Sequence, residues 1–209
     1  MAARLLLSVF VTALAALFYA GPSLEPFGQA LATVDIQQGP LVDSWRILRQ
    51  QLKNDDDHVA LCVEGVGEDC AAVATLVRVV TEAKQQKGLA LIGHLNRSIN
   101  LLLKPAPGVW MGPLAAIKLG SGDCKAYAVA KYFALREAGE SPEHIRLVIV
   151  DDRRHHEDHI VAAVYQEGRW LLLDNMTMAL VADSEETDYV PLFVLDDTGV
   201  RQYYAVPGV

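Results

Sequence analysis

Gly120-Ser121-Gly122-Asp123-Cys124-Lys125-Ala126-Tyr127-Ala128 decides how this chain is read, because it separates a helical half from an extended half and sets a thiol at the junction. Glycine before and after Ser121 interrupts any preceding helix, and Asp123 starts the next one by accepting a backbone N–H. Cys124 then falls in the first turn, where unpaired N–H groups carry partial positive charge and favour thiolate over thiol. Tyr127, Lys131, Ala134 and Ala138 continue one face of that helix, and Gly139 followed by Ser141-Pro142 stops it.

Upstream of this stretch the apolar residues recur at helical spacing. Trp45, Leu48 and Leu52 predict a helix over 41–54 that closes in the acidic loop Asn54-Asp55-Asp56-Asp57. A second helix starts near Glu68-Asp69 and continues through Lys84 and Lys87 to its stop at Gly88. A third carries Ile92, Leu95, Ile99 and Leu103 and ends at Pro105-Ala106-Pro107-Gly108, since proline cannot continue the hydrogen-bond ladder; Pro113 to Leu119 forms a short fourth. Downstream the period becomes extended over 145–150, 159–165, 169–173, 190–195 and 200–204, with Asp196-Asp197-Thr198-Gly199 as a turn. Helices first and antiparallel sheet second make an α+β domain without internal repeats or low-complexity segments.

The 209 residues, 52% hydrophobic and 21% charged, suit one domain with a substantial core once the first segment is set aside. A net charge of -8, with no Lys/Arg cluster interleaved with aromatics, offers nucleic acid no binding surface and leaves polypeptide as the better substrate class. Met1 to Arg4 is a short basic start and Leu5 to Ala20 an uncharged apolar run, the pattern of an export signal. The small-x-small site Ala30-Leu31-Ala32 lies far from that run, so residues 1–32 read either as a signal peptide or as an N-terminal membrane anchor, with the domain over 33–209. Export places the three cysteines in an oxidising compartment, where Cys62 and Cys70 close a small loop around Gly65 and Gly67 and Cys124 remains the odd thiol.

Strand register supplies partners for that thiol. With Glu167-Gly168 at the centre of a two-residue hairpin, Gln166 opposes Arg169 and Asp174 opposes Val161. His159 is two residues before Val161, on the same face, and so becomes the diagonal neighbour of Asp174 at roughly 7–8 Å of backbone separation, a gap that an imidazole and a carboxylate close. A three-residue loop would shift the pairing by one and bring Asn175 instead. By the same parity His156 points to the other face, and His155 lies beyond the pairing.

Cys124, His159 and Asp174 are therefore the candidate nucleophile, base and orienting acid of a thiol peptidase. The backbone N–H of Cys124 is a candidate oxyanion donor, and no second donor is identifiable. The run His155-His156-Glu157-Asp158-His159 is not a metal motif of the helical kind, because the i, i+4 histidine pair with an adjacent glutamate is missing and the run leads into a strand.

These residues resemble the bacterial transglutaminase-like cysteine proteinases, periplasmic proteases of the LapG type that release large adhesins from the outer membrane. The likeness runs from Asn96 and Asn100 through Trp110 and Pro113 to Gly122-Asp123-Cys124, Ala128, Lys131-Tyr132, His159, Gly168-Arg169-Trp170, Leu173-Asp174-Asn175 and Tyr189-Val190-Pro191. It implies a papain-like, transglutaminase-like core with Cys124, His159 and Asp174 as the triad, and periplasmic localisation. It further implies cleavage of a large surface adhesin, under control of an inner-membrane cyclic-di-GMP receptor. It also implies calcium held by acidic residues flanking the cysteine; here Asp123 is present but the following residue is Lys125, so that site is lost, moved to Asp151 and Asp152, or never needed. An inert peptide-binding module and an amine-transferring transglutaminase stand as the alternatives.

Overall fold

The computed structural model describes residues 25–28 and 31–206, so the apolar run Leu5 to Ala20 lies outside the described residues. Five helices precede most of the sheet: α1 (Pro40–Val63), α2 (Ala71–Lys84), α3 (Leu89–Leu102), α4 (Pro113–Leu119) and α5 (Cys124–Ala138). The strands are β1 (Leu31–Ile36), β2 (Lys104–Pro105), β3 (Ser121–Gly122), β4 (Ile145–Asp152), β5 (Glu157–Gln166), β6 (Arg169–Leu173), β7 (Val181–Ala182), β8 (Tyr189–Asp196) and β9 (Gly199–Ala205). Seven of them form one antiparallel sheet in the order β1-β9-β8-β4-β5-β6-β7, and β2 pairs with β3 in parallel beside it.

Period-2 alternation sorts the sheet residues. Ile145 and Leu147 of β4 and Ile160, Ala162 and Val164 of β5 bury against the helices, while Val148, Val150, Val161, Ala163, Trp170 and Leu172 form a smaller cluster on the opposite face. The helix α5 is buried nearly all round, as expected of a helix wedged between a sheet and other helices. Its Phe133 and Leu135 are fully buried, each contributing about 1.5–3 kcal/mol of transfer free energy.

Two sequence readings change. The acidic run 54–57 is not a loop but part of α1, which continues to Val63. Val59 extends the buried stripe of Trp45, Leu48 and Leu52, and the modest helical penalty of aspartate is offset by tertiary contacts. Asp55 accepts the Leu114 N–H at the start of α4, and Asp56 lies 3.8 Å from Arg136 on α5. The second change is at the edges: β1 pairs along its whole length with β9, and β7 with β6, although neither segment alternates clearly enough to be read in isolation. Leu31 and Ala32 are thus strand residues, opposite Ala205 and Tyr204.

The cysteine pairing and the hairpin match expectation, while α2 starts at Ala71 and ends at Lys84, inside the span read from the sequence. Cys62 and Cys70 are joined in a disulfide, and Cys124 is the free cysteine. Glu167 and Gly168 both adopt positive φ, as a two-residue hairpin turn requires, and Gln166 pairs with Arg169. Among the described residues no helix is long and apolar enough to cross a membrane.

Candidate active site

Local chemistry sets the thiol at the head of α5. Gly120 ends α4 in the left-handed region at φ 68°, a conformation that costs other residues energy. Gly122 is required for space, since a Cβ there would stand 2.3 Å from that of Ala126. Asp123 is the N-cap, its Oδ1 accepting the Lys125 N–H at 3.1 Å. Cys124 is the first residue of α5 and is partly exposed.

The histidine comes from the open end of a hairpin. Pairing of β5 with β6 begins only at Ala162↔Leu173, so the β5 edge from Glu157 to Val161 has no β6 partner and borders a cleft. The cleft, about 530 Å³, is lined by Cys124 and His159 with Pro107, Asp123, Asn175 and Met176 among the other walls. His159 Nε2 lies 2.9 Å from Asp174 Oδ1, and the same ring hydrogen-bonds the Cys124 side chain. Asp174, one residue past the last β6 pair, meets His159 as the register argument expects; Asn175 also lines the cleft but does not take that place. His155 is bound to Asp152 at 2.7 Å, and His156 sits in the β4–β5 turn at positive φ.

Electrostatics sharpen the arrangement. Burial disfavours the imidazolium, but the Asp174 hydrogen bond, the Cys124 contact and the two negative charges outweigh it and push His159 up to about 9. Burial likewise opposes ionisation of Asp174, yet the His159 contact, the Tyr189 hydroxyl and the Met176 N–H hold it down at about 2. The environment therefore favours an anionic carboxylate beside a cationic ring.

Three supporting residues escaped the reading of the sequence as a catalytic constellation. Tyr189 of β8 donates its hydroxyl to Asp174 Oδ2 at 2.6 Å, and its ring lies 5.6 Å from that of His159. Asn100 of α3 donates to the Asp174 carbonyl and to the Thr177 carbonyl, both at 2.9 Å. Lys131, fully buried on α5, donates to the Leu173 carbonyl at 3.2 Å. The available signal was polar residues at core spacing: Asn96 and Asn100 stand among Ile92, Leu95 and Ile99, and Lys131 interrupts a run of buried apolar residues.

Asp123 does not fit a calcium ligand. One of its oxygens takes the Lys125 N–H and the other is ion-paired with the Lys125 ammonium, so a divalent cation would meet a fixed positive charge. Asp152 does not fit either: Oδ1 accepts the N–H groups of Arg154 and His155, and Oδ2 is bound to the His155 ring.

Comparison with known proteins places the fold. Three structures of LapG from Legionella pneumophila resemble the chain in fold. The first has a TM-score of 0.60 at 19% identity and covers 70% of this chain and 86% of that one. A calcium-bound form has a TM-score of 0.59 at 18% identity over 73% and 87%, and an EGTA-treated form 0.59 at 20% over 70% and 84%. Among curated protein sequences nothing matches. The family profile described as bacterial transglutaminase-like cysteine proteinase matches residues 50–199, which include the Cys124 helix and strands β4 to β6, and on that match the chain belongs to the bacterial transglutaminase-like cysteine proteinases.

Proposed function

We propose that this proteinase is an exported endopeptidase that cuts a peptide bond in an envelope or surface-adhesin protein, with Cys124 as nucleophile, His159 as base and Asp174 as orienting acid. The observation that carries the reading is that one imidazole is bonded to Asp174 at 2.9 Å and to the free thiol at the head of α5. With Nε2 facing Asp174, the other ring nitrogen serves the thiol.

Once the Cys124 proton resides on the His159 ring, the state the Asp174 carboxylate favours, the thiolate attacks the scissile carbonyl to form a C–S bond. The Cys124 N–H at the head of α5 is placed to donate to the oxyanion. The imidazolium then gives its proton to the departing amine as the C–N bond breaks, and Asp174 stabilises that cation throughout. Water, deprotonated by His159, releases the acyl group and returns the thiol. No step here is routed through calcium at Asp123, because that carboxylate is already paired with Lys125.

Export is supported by the basic start and the apolar run Leu5 to Ala20, and by a disulfide that an oxidising compartment preserves. The adhesin substrate and an inner-membrane cyclic-di-GMP receptor as regulator are proposed from the sequence resemblance. The test is incubation of the wild type and of Cys124→Ala with envelope proteins from the source cell, read by mass spectrometry of new termini. Cleavage of one large surface protein by the wild type alone supports the proposal. Exchange of a labelled amine into the substrate without chain cleavage would assign amine transfer instead. Cys124 alkylated by iodoacetamide no faster than free cysteine would assign an inert binding module.

A further inference from the structure

Lys131 stands on α5 seven residues after Cys124, two turns along the helix and so on the same side of it. Its side chain is fully buried, a rare condition for lysine, and it donates to a backbone acceptor, the Leu173 carbonyl, at 3.2 Å. Leu173 is the last residue of β6, and the next residue is Asp174. The ammonium nitrogen also lies 6.0 Å from the Tyr127 ring centroid.

We propose that Lys131 is a positioning residue for the Asp174–His159 pair, tying the end of β6 to the helix that carries the nucleophile. The tie matters because β6 stops pairing at Leu173, so no ladder hydrogen bond to β5 fixes Asp174. Asn100 holds the Asp174 carbonyl from α3, and Lys131 holds the preceding carbonyl from α5; together they fix the two peptide planes that flank the Asp174 Cα and so aim the carboxylate. An apolar residue would fill the same space and leave the Leu173 carbonyl without this donor. Burial favours an apolar residue at this position and opposes the ammonium, and the Asp174 charge only partly offsets it: Lys131 is brought down to about 7. The charged and titratable groups around it are Asp174 at the end of β6, Tyr127 on α5, and beyond Asp174 the His159 ring of β5.

The inference rests on Cys124, His159 and Asp174 acting together, and its test separates the two. Lys131→Met keeps an unbranched chain of similar reach and removes the donor. The expected result is a folded protein in which alkylation of Cys124 by iodoacetamide at pH 7 slows about tenfold. In addition, the NMR titration midpoint of the His159 ring Cε1–H falls from about 9 by at least roughly one pH unit, because a slackened Asp174 contact no longer raises it. A purely structural lysine would leave that midpoint in place, and an unmoved midpoint with unchanged alkylation in Lys131→Met overturns the proposal. If Lys131→Met is not recovered folded, Lys131→Gln, a shorter neutral donor, decides by the same two measurements: a lowered His159 midpoint with slowed alkylation is expected, and leaving both unchanged overturns the proposal. A wild type whose Cys124 is no more reactive than free cysteine would instead remove the peptidase reading itself.

Discussion

Tyr189 donates its hydroxyl to Oδ2 of Asp174 at 2.6 Å while His159 holds Oδ1 at 2.9 Å, so both oxygens of the orienting carboxylate are engaged from different strands. A carboxylate held at one oxygen can rotate away from the imidazole; held at both, it keeps its plane. Tyr189→Phe removes a charge-assisted bond of about 1.5–3 kcal/mol and leaves the ring packing. The expected outcome is a fall in kcat of about tenfold with KM within about twofold, measured on a peptide substrate. Wild-type kinetics in Tyr189→Phe would show that the hydroxyl is only a packing partner.

His159 and Lys131 bind protons in opposite senses on folding, and their effects on stability oppose one another. His159 is raised to about 9 from an ordinary 6.5, so its stabilisation is complete below about 6.5 and is lost as pH rises through 9. Lys131 is lowered to about 7 from an ordinary 10.5, so stability gains with pH between those values. Between about pH 7 and 9 the two slopes cancel, and urea denaturation of the wild type is expected to be nearly flat. His159→Ala should show stability rising with pH there, and Lys131→Met should show it falling, each at up to about 1.4 kcal/mol per pH unit. Identical slopes in all three proteins would contradict the assignment.

Lys125 makes a simple statement about calcium. Its ammonium is paired with the carboxylate that precedes the nucleophile, so a chelator should leave Cys124 alkylation and peptidase rates unchanged within about twofold.

 Added calcium should likewise leave the melting temperature of the wild type in place. Lys125→Glu replaces the fixed cation with a second carboxylate, and this variant is expected to gain a calcium-dependent rise in melting temperature. Loss of wild-type alkylation on chelation, restored by calcium, would refute the reading of Asp123.

Glu25 ties the start of the described chain to the sheet. Its carboxylate meets Arg146 and Arg201, each at 2.8 Å, and both guanidinium groups also contact Asp196. Two largely buried cations thus share two carboxylates, and removing one leaves them under-compensated. Glu25→Ala should lower the unfolding free energy by about 2–3 kcal/mol in urea. A chain beginning at Thr33 should lose at least as much, because it also lacks the first two β1 pairs with β9. A loss below about 0.5 kcal/mol would show that the network is only a surface feature.

Much of the site was legible because its parts obey local rules. A cap at Asp123, a breaker at Gly122 and a period-2 hairpin around Glu167-Gly168 each follow from a few neighbouring residues, and together they bring Cys124 and His159 into one cleft with Asp174 bonded to His159. The disulfide was legible from cysteine spacing and the expectation of export. The acidic run 54–57 was misread for the opposite reason: its helical state depends on Leu114 and Arg136, which are distant in sequence. The edge strands β1 and β7 were missed because their pairing partners, rather than their own residues, hold them extended.

By itself the sequence determined the order of helices and strands, the hairpin register and the identity of the thiol, because backbone propensity and side-chain period act over a few residues. Only the tertiary structure decided that Tyr189, Asn100 and Lys131 surround the Asp174 segment and that Lys125 occupies Asp123. Those contacts join residues from α3, α5, β6 and β8, and no local periodicity encodes which buried polar group will find which partner once the core has closed.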